Sequence, residues 1–218
     1  MPQQLPLDLE TPDRFSRERL AVTPALQQVL DVLLAPSSWL SSGLILLGPK
    51  GSGKTHLGHV FAAANAAAFL DARNLALSPA PAVVVDDAGT ADQEALFHLI
   101  NAVQSSGRHL LLLTDTHPRA WTVTVPDLAS RLNAMRLLVL PEPDEALLAA
   151  ILKKLFAERF ISPPDDMLNY LADRMERSVG AAQKIVTELE YYANGRAFTR
   201  HLARHFFEHS DTLFETDD

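Results

Sequence analysis

Residues 48–55 read Gly48-Pro49-Lys50-Gly51-Ser52-Gly53-Lys54-Thr55 and fit the pattern G-x-x-x-x-G-K-[ST] at every specified position. The chemistry of such a loop is anion binding. Glycines let the backbone curl until its N–H groups point at a phosphate. Lys54 then reaches the outer phosphates, and Thr55 offers its hydroxyl to Mg²⁺. His56 follows directly and belongs to the same candidate binding segment. A chance glycine-rich turn needs no particular neighbours, whereas this loop has both elements that a phosphate site requires. The apolar run Gly43-Leu44-Ile45-Leu46-Leu47 predicts a buried strand just before it, and the alanine-rich residues 54–67 predict a helix that starts at the phosphates.

A second group of chemically capable residues lies downstream. Val83-Val84-Val85-Asp86-Asp87 predicts a strand that ends in two acids, the form of a Walker B motif in which Asp86 supports Mg²⁺. Residues 68–70 predict a short strand, 92–104 a helix, and 109–114 and 137–140 two more strands. Strands alternating with helices at this spacing give a parallel sheet with helices on both faces. Ligands in such folds sit at the carboxyl ends of the strands. Lys54, Asp86, and Thr114 with Asp115 all fall there.

Bulk properties limit the alternatives. The chain has 218 residues, enough for one full domain and a smaller one, with 47% hydrophobic residues and a formal net charge of −8. The charge argues against a protein that coats nucleic acid, because neutralising phosphates needs clustered Lys and Arg. No cysteine is present, which excludes disulfides and thiolate metal sites. No apolar stretch is long enough to span a bilayer, and the first residues lack the features of a signal peptide, so no membrane association and a cytoplasmic location are expected. The eight histidines show no metal spacing backed by carboxylates; His201, His205 and His209 read as one face of a helix.

The organisation expected is an extended proline-rich arm at 1–14, an α/β nucleotide-binding domain at 15–141, a small all-helical domain at 142–209 and an acidic tail at 210–218. Thr23 with Pro24 predicts a capped helix over 24–34. Beyond Pro141, helical apolar spacing covers 143–160, 164–175, 178–194 and 199–209.

A P-loop domain followed by a helical lid resembles the AAA+ ATPases, and local motifs narrow the resemblance to the DnaA-type branch. Pro126-Asp127-Leu128-Ala129-Ser130-Arg131-Leu132 is similar to the segment carrying the arginine finger in those proteins. Leu113-Thr114-Asp115-Thr116-His117-Pro118 resembles their sensor 1 strand, Asp86-Asp87 their variant of Walker B, and Phe198-Thr199-Arg200-His201-Leu202-Ala203-Arg204 their last lid helix. The fold implied is an α/β P-loop AAA+ domain with a five-stranded parallel sheet, followed by the helical lid. The initiator continues past its lid into a DNA-binding domain and carries an inserted helical element between its second and third strands. This chain ends after the lid, and only residues 72–81 join those strands, so no direct sequence-specific DNA binding is expected.

Gln4-Leu5-Pro6-Leu7-Asp8-Leu9 resembles the hexapeptide with which bacterial proteins bind the polymerase sliding clamp. An extended peptide of this kind buries Leu7 and Leu9 in an apolar pocket while Gln4 fixes register, with Leu5 part of the same contact. The combination resembles the Hda family, regulators that inactivate the initiator DnaA. The resemblance implies bound ADP or ATP with Mg²⁺, docking on the DNA polymerase III beta sliding clamp, and stimulation of ATP hydrolysis in DnaA. Residues 48–55 then hold phosphates, Thr114 and Asp115 sense the γ-phosphate position, Leu20 and Val22 line the adenine pocket, and Arg131 acts in trans on a neighbour. Use of Arg131 in trans implies side-by-side packing with DnaA, or in a homodimer or larger oligomer. Two departures weaken intrinsic turnover. Asp87 stands where most AAA+ proteins have a catalytic Glu, and Gly180 falls at the sensor 2 arginine position, with Arg177 nearby as a candidate substitute whose three-residue offset need not aim at the same point. An autonomous ATPase of the DnaC-like helicase-loader type is the alternative.

Overall fold

The computed structural model describes residues 15–213. The clamp-motif residues Gln4, Leu5, Leu7 and Leu9 lie outside the described residues. Five parallel strands form one sheet: β1 (Gly43–Leu47), β2 (Ala68–Asp71), β3 (Ala82–Asp86), β4 (His109–Thr114) and β5 (Arg136–Val139), in the spatial order β2-β3-β4-β1-β5. The three inner strands are continuous apolar runs because both of their faces are covered.

The period-two alternation of strand side chains divides the core into two layers. Leu44, Leu46, Val84, Leu111 and Leu113 face α1 (Pro24–Leu33) and α2 (Lys54–Asn65), meeting Leu30, Leu33 and Phe61. Ile45, Val83, Val85, Leu110 and Leu112 face α3 (Gln93–Ser105) and α4 (Pro126–Ala134), meeting Leu96, Ile100 and Leu128. Four helices follow: α5 (Glu145–Ala157), α6 (Asp165–Arg174), α7 (Val179–Ala193) and α8 (Arg200–Leu213). They enclose a separate core around Leu152, Phe156, Leu171, Val186 and Leu189.

Helix starts follow local capping chemistry. Thr23, Asp92, Asp144 and Ser178 each accept a backbone N–H from the first turn of α1, α3, α5 and α7, respectively. Pro24 occupies the first turn of α1, where its missing N–H costs nothing. The segment around Arg131, read from sequence only through its motif, is helix α4. No helix forms in residues 72–81, between β2 and β3.

Candidate nucleotide site

The phosphate loop leaves β1 at its carboxyl end. Its first amide, of Gly48, donates to the Thr114 carbonyl on β4 at 3.1 Å, which ties the loop to the neighbouring strand. Gly51 and Gly53 adopt φ of +72° and +93°, conformations that suit glycine. Lys54 is buried, and its ammonium donates to the Gly48 and Pro49 carbonyls at 2.8 Å each. Burial lowers the Lys54 pKa below its ordinary value, while Asp115, Asp86 and Asp87 act in the opposite direction. Thr55 donates its hydroxyl to Asp86 Oδ2 at 2.9 Å, and the other Asp86 oxygen accepts the Asp87 amide at 3.0 Å. The threonine and the acid are thus already side by side, as two ligands of one Mg²⁺ must be.

Two features fit a polyphosphate at this place. The start of α2 has no side-chain cap, because its N-cap is Gly53, so its first N–H groups and helix dipole are open to an anion. The Ser52 hydroxyl is buried without any hydrogen-bond partner, and a phosphate oxygen is the kind of group that would satisfy it. A bound Mg²⁺–nucleotide would be held by residues 51–55 and Asp86, with the metal supplying charge neutralisation of the phosphates.

Asp87 is exposed and sits in the left-handed region at φ +51°, a conformation that costs a non-glycine residue about 1–2 kcal/mol. Its carbonyl holds the next turn by accepting from the Thr90 amide and hydroxyl. Asp87, Asp115, Lys50 and Trp121 line a cavity of about 300 Å³ beside the loop. The Thr114 hydroxyl is buried and engaged with the Thr116 backbone, donating to the carbonyl at 2.9 Å and accepting the amide at 3.2 Å, and it thereby supports the turn from which Asp115 faces the cavity.

A larger cavity of about 670 Å³ opens between α1, α2, α5 and α7, with the phosphate loop at one end. Leu20 and His56 line it, and Val22 does not. It directly precedes the Thr23 cap, where the chain turns into α1, and stands 49% exposed; Ala21 lines the cavity instead. The neutral His56 ring donates from Nε2 to the Ser16 carbonyl at 2.9 Å, and burial is the main cause holding its pKa below the ordinary value. Arg177 also departs from expectation. It lies just outside the Ser178 cap of α7 and forms an exposed ion pair with Glu145 at 3.2 Å, away from the cavity lining. Gly180 does line the cavity. Its amide and that of Val179 both donate to the Gly51 carbonyl, at 3.2 and 2.8 Å, so backbone hydrogen bonds join the lid to the phosphate loop. Sequence reasoning missed Lys154, a cavity-lining residue of α5 whose partners lie more than a hundred residues earlier.

Arg131 is exposed on the last turn of α4 and donates to Gln104 on α3 at 3.1 Å; Gln104 in turn reaches the Ser41 carbonyl, just before β1. It therefore sits toward the amino-terminal edge of the sheet, roughly 15 Å of strand away from its own phosphate loop. Among the described residues no cluster of three or more His, Asp or Glu side chains is placed to hold a metal ion, and no helix is long and apolar enough to cross a membrane.

The domain III structure of the Thermotoga maritima replication initiation protein DnaA superposes on this chain with a TM-score of 0.77 at 18% identity, covering 89% of this chain and 95% of that one. The fold is that of an AAA+ domain. A replication initiator DnaA solved with AMPPCP and single-stranded DNA gives a TM-score of 0.74, also at 18% identity, over 93% of this chain and 71% of that one. In sequence, the chain is 27% identical over 104 residues to the chromosomal replication initiator protein DnaA of Symbiobacterium thermophilum, a match covering 48% of this chain and 23% of the relative. It thus spans less than a quarter of that protein. No family model matches the chain.

Proposed function

We propose that this AAA+ protein binds an adenine nucleotide with Mg²⁺ and acts as a regulator of replication initiation that stimulates ATP hydrolysis in DnaA while docked on the sliding clamp. The observation that carries the reading is the division of labour between two sites. The phosphate loop is complete in Lys54, Thr55 and Asp86, while Arg131 is exposed far from that loop, held by a single surface hydrogen bond to Gln104 that a neighbouring molecule's phosphates would replace. An arginine delivered in trans stabilises the charge spread over a transferring phosphoryl group, an effect of about 10³–10⁵ in rate where it operates. Asp87, shorter than a glutamate, and Gly180 at the sensor 2 position favour slow turnover in cis. The clamp assignment rests on residues 4–9, and the initiator assignment on the similarity to DnaA.

The test combines the protein with clamp loaded on DNA and with ATP-bound DnaA, and follows phosphate release. Arg131→Ala is expected to remove at least 100-fold of the stimulation; full stimulation by that variant overturns the role of Arg131. Alanine at Gln4 and Leu5 is expected to abolish clamp retention and leave ADP binding intact. Turnover by the protein alone, stimulated by single-stranded DNA and without clamp affinity, would instead support the helicase-loader reading.

A further inference from the structure

Residues 15–21 form a strap along the larger cavity, whose lining includes Phe15, Arg19, Leu20 and Ala21, and they are held from both sides. The Phe15 ring stacks on His59 of α2 with centroids 4.3 Å apart, and His59 stacks in turn on Phe69 of β2 at 3.9 Å. The Ser16 carbonyl accepts from His56, also on α2. These two attachments belong to the α/β layer. The third comes from the lid: the ammonium of Lys154 on α5 donates to the carbonyls of Glu18 and Leu20, the latter at 3.1 Å. Among the ion pairs of the described residues Lys154 takes part in none, so its charge is directed to these backbone oxygens.

The consequence is geometric. Leu20 is extended, and consecutive side chains of an extended chain point to opposite sides. Leu20 packs against the α/β core and Ala21 against the lid core, so the strap joins the two layers. Fixing the Glu18 and Leu20 carbonyls fixes which way Leu20 faces, and Leu20 is a wall of the cavity. The phosphate end of the cavity is built from residues 51–55 and does not depend on the strap.

We infer that Lys154 is the positioning residue of the base subsite: by clipping the lid to residues 18–20 it sets the wall against which the nucleotide base packs, and it closes the strap over a bound base. This rests on the nucleotide reading above. It concerns the base and not the phosphates, and that is what makes it separable.

The experiment measures binding of ADP and of inorganic tripolyphosphate to the full chain by calorimetry. Lys154→Met is expected to raise the Kd for ADP about tenfold, as the loss of charge-assisted hydrogen bonds predicts. The Kd for tripolyphosphate should stay within about twofold, because its contacts are untouched. Lys154→Arg, which keeps the donor and the charge, should restore ADP binding to within about threefold. An unchanged ADP affinity in Lys154→Met, or an equal loss for both ligands, overturns the inference. Should the methionine variant not fold, hydrogen exchange on the parent protein decides: ADP should slow the amides of residues 16–21 and tripolyphosphate should not, and equal protection by both overturns the role. A parent protein that binds tripolyphosphate as tightly as ADP has no base subsite, and the inference falls with it. One that binds neither refutes the nucleotide reading itself.

Discussion

Two helices begin on either side of the phosphate loop, and they use their first N–H groups in opposite ways. The start of α2 carries glycine at its cap and no side-chain acceptor, so its amides are open to a ligand. The start of α7 is closed twice: Ser178 accepts the Ala181 amide at 3.0 Å, and the amides of Val179 and Gly180 donate to the Gly51 carbonyl. One helix terminus is kept for an anion and the other is used to hold the protein together. The contrast explains how a lid can sit on a phosphate loop without an arginine reaching from it. A Cβ at Gly180 would lie 3.6 Å from the Gly51 Cα, an ordinary van der Waals contact, so the two backbone hydrogen bonds and not the missing side chain define this approach.

The contrast predicts that changes at the α2 side affect binding, and changes at the α7 side affect stability. The largest effect belongs to Lys54→Ala. Losing its charged contacts with phosphate should weaken ADP binding by about 100-fold, at about 1.4 kcal/mol per decade. The melting temperature without nucleotide should move by no more than a few degrees. A large drop in that temperature would mean that the Lys54 bonds to Gly48 and Pro49 are structural, and the comparison would fail.

Gly51→Ala comes next. The position has φ +72°, and the new Cβ would lie 3.2 Å from the Ser178 Cβ and Oγ. A loss of about 1–2 kcal/mol is expected from the backbone alone, or about 2–8 °C in Tm for a chain of this size. Ser178→Ala removes only the cap, and should cost about 1 kcal/mol, or about 2–4 °C. Its ADP affinity should stay within about threefold, and a loss larger than that would show that α7 is part of the ligand site.

The smallest effect concerns acid. Burial is the main cause lowering the pKa of both His56 and His59 from an ordinary value of 6.5. The unfolded chain therefore binds more protons than the folded one just below pH 6.5, and stability falls as pH drops through that value. Denaturant melts at pH 7.5 and 5.5 should show the decrease. Replacing His59, which lies outside the cavity lining, by Gln should reduce it, although loss of the ring stack also lowers stability at both values.

The five strands were legible because each is a short apolar run bounded by a motif or a turn, and the observed bounds fall within one or two residues of the expected ones. Lys54, Thr55 and Asp86 were legible for the same reason: their chemistry is written in contiguous residues. Helix α4 was not, since Pro126–Ala134 has a mixed face and only Leu128 and Leu132 are buried. Arg177 could not be placed because its partner Glu145 is 32 residues away on another helix. Lys154 and the Gly51–Gly180 approach depend on how lid and sheet meet, which no local pattern encodes. Val22 was misplaced by a single turn of the chain before α1.

The position of β1 also bears on how the molecule is made. Leu44 pairs with Leu111 on one side and Arg136 on the other, and Leu47 accepts the Leu140 amide just past β5. The strand that launches the phosphate loop therefore waits for partners encoded 60 or more residues later. Such long-range parallel pairing is slow relative to local helix formation. During synthesis, residues 48–55 emerge well before the sheet that shapes them can close. A nucleotide that binds residues 48–55 therefore rewards the finished sheet by mass action, since the loop takes its shape from strands encoded far downstream.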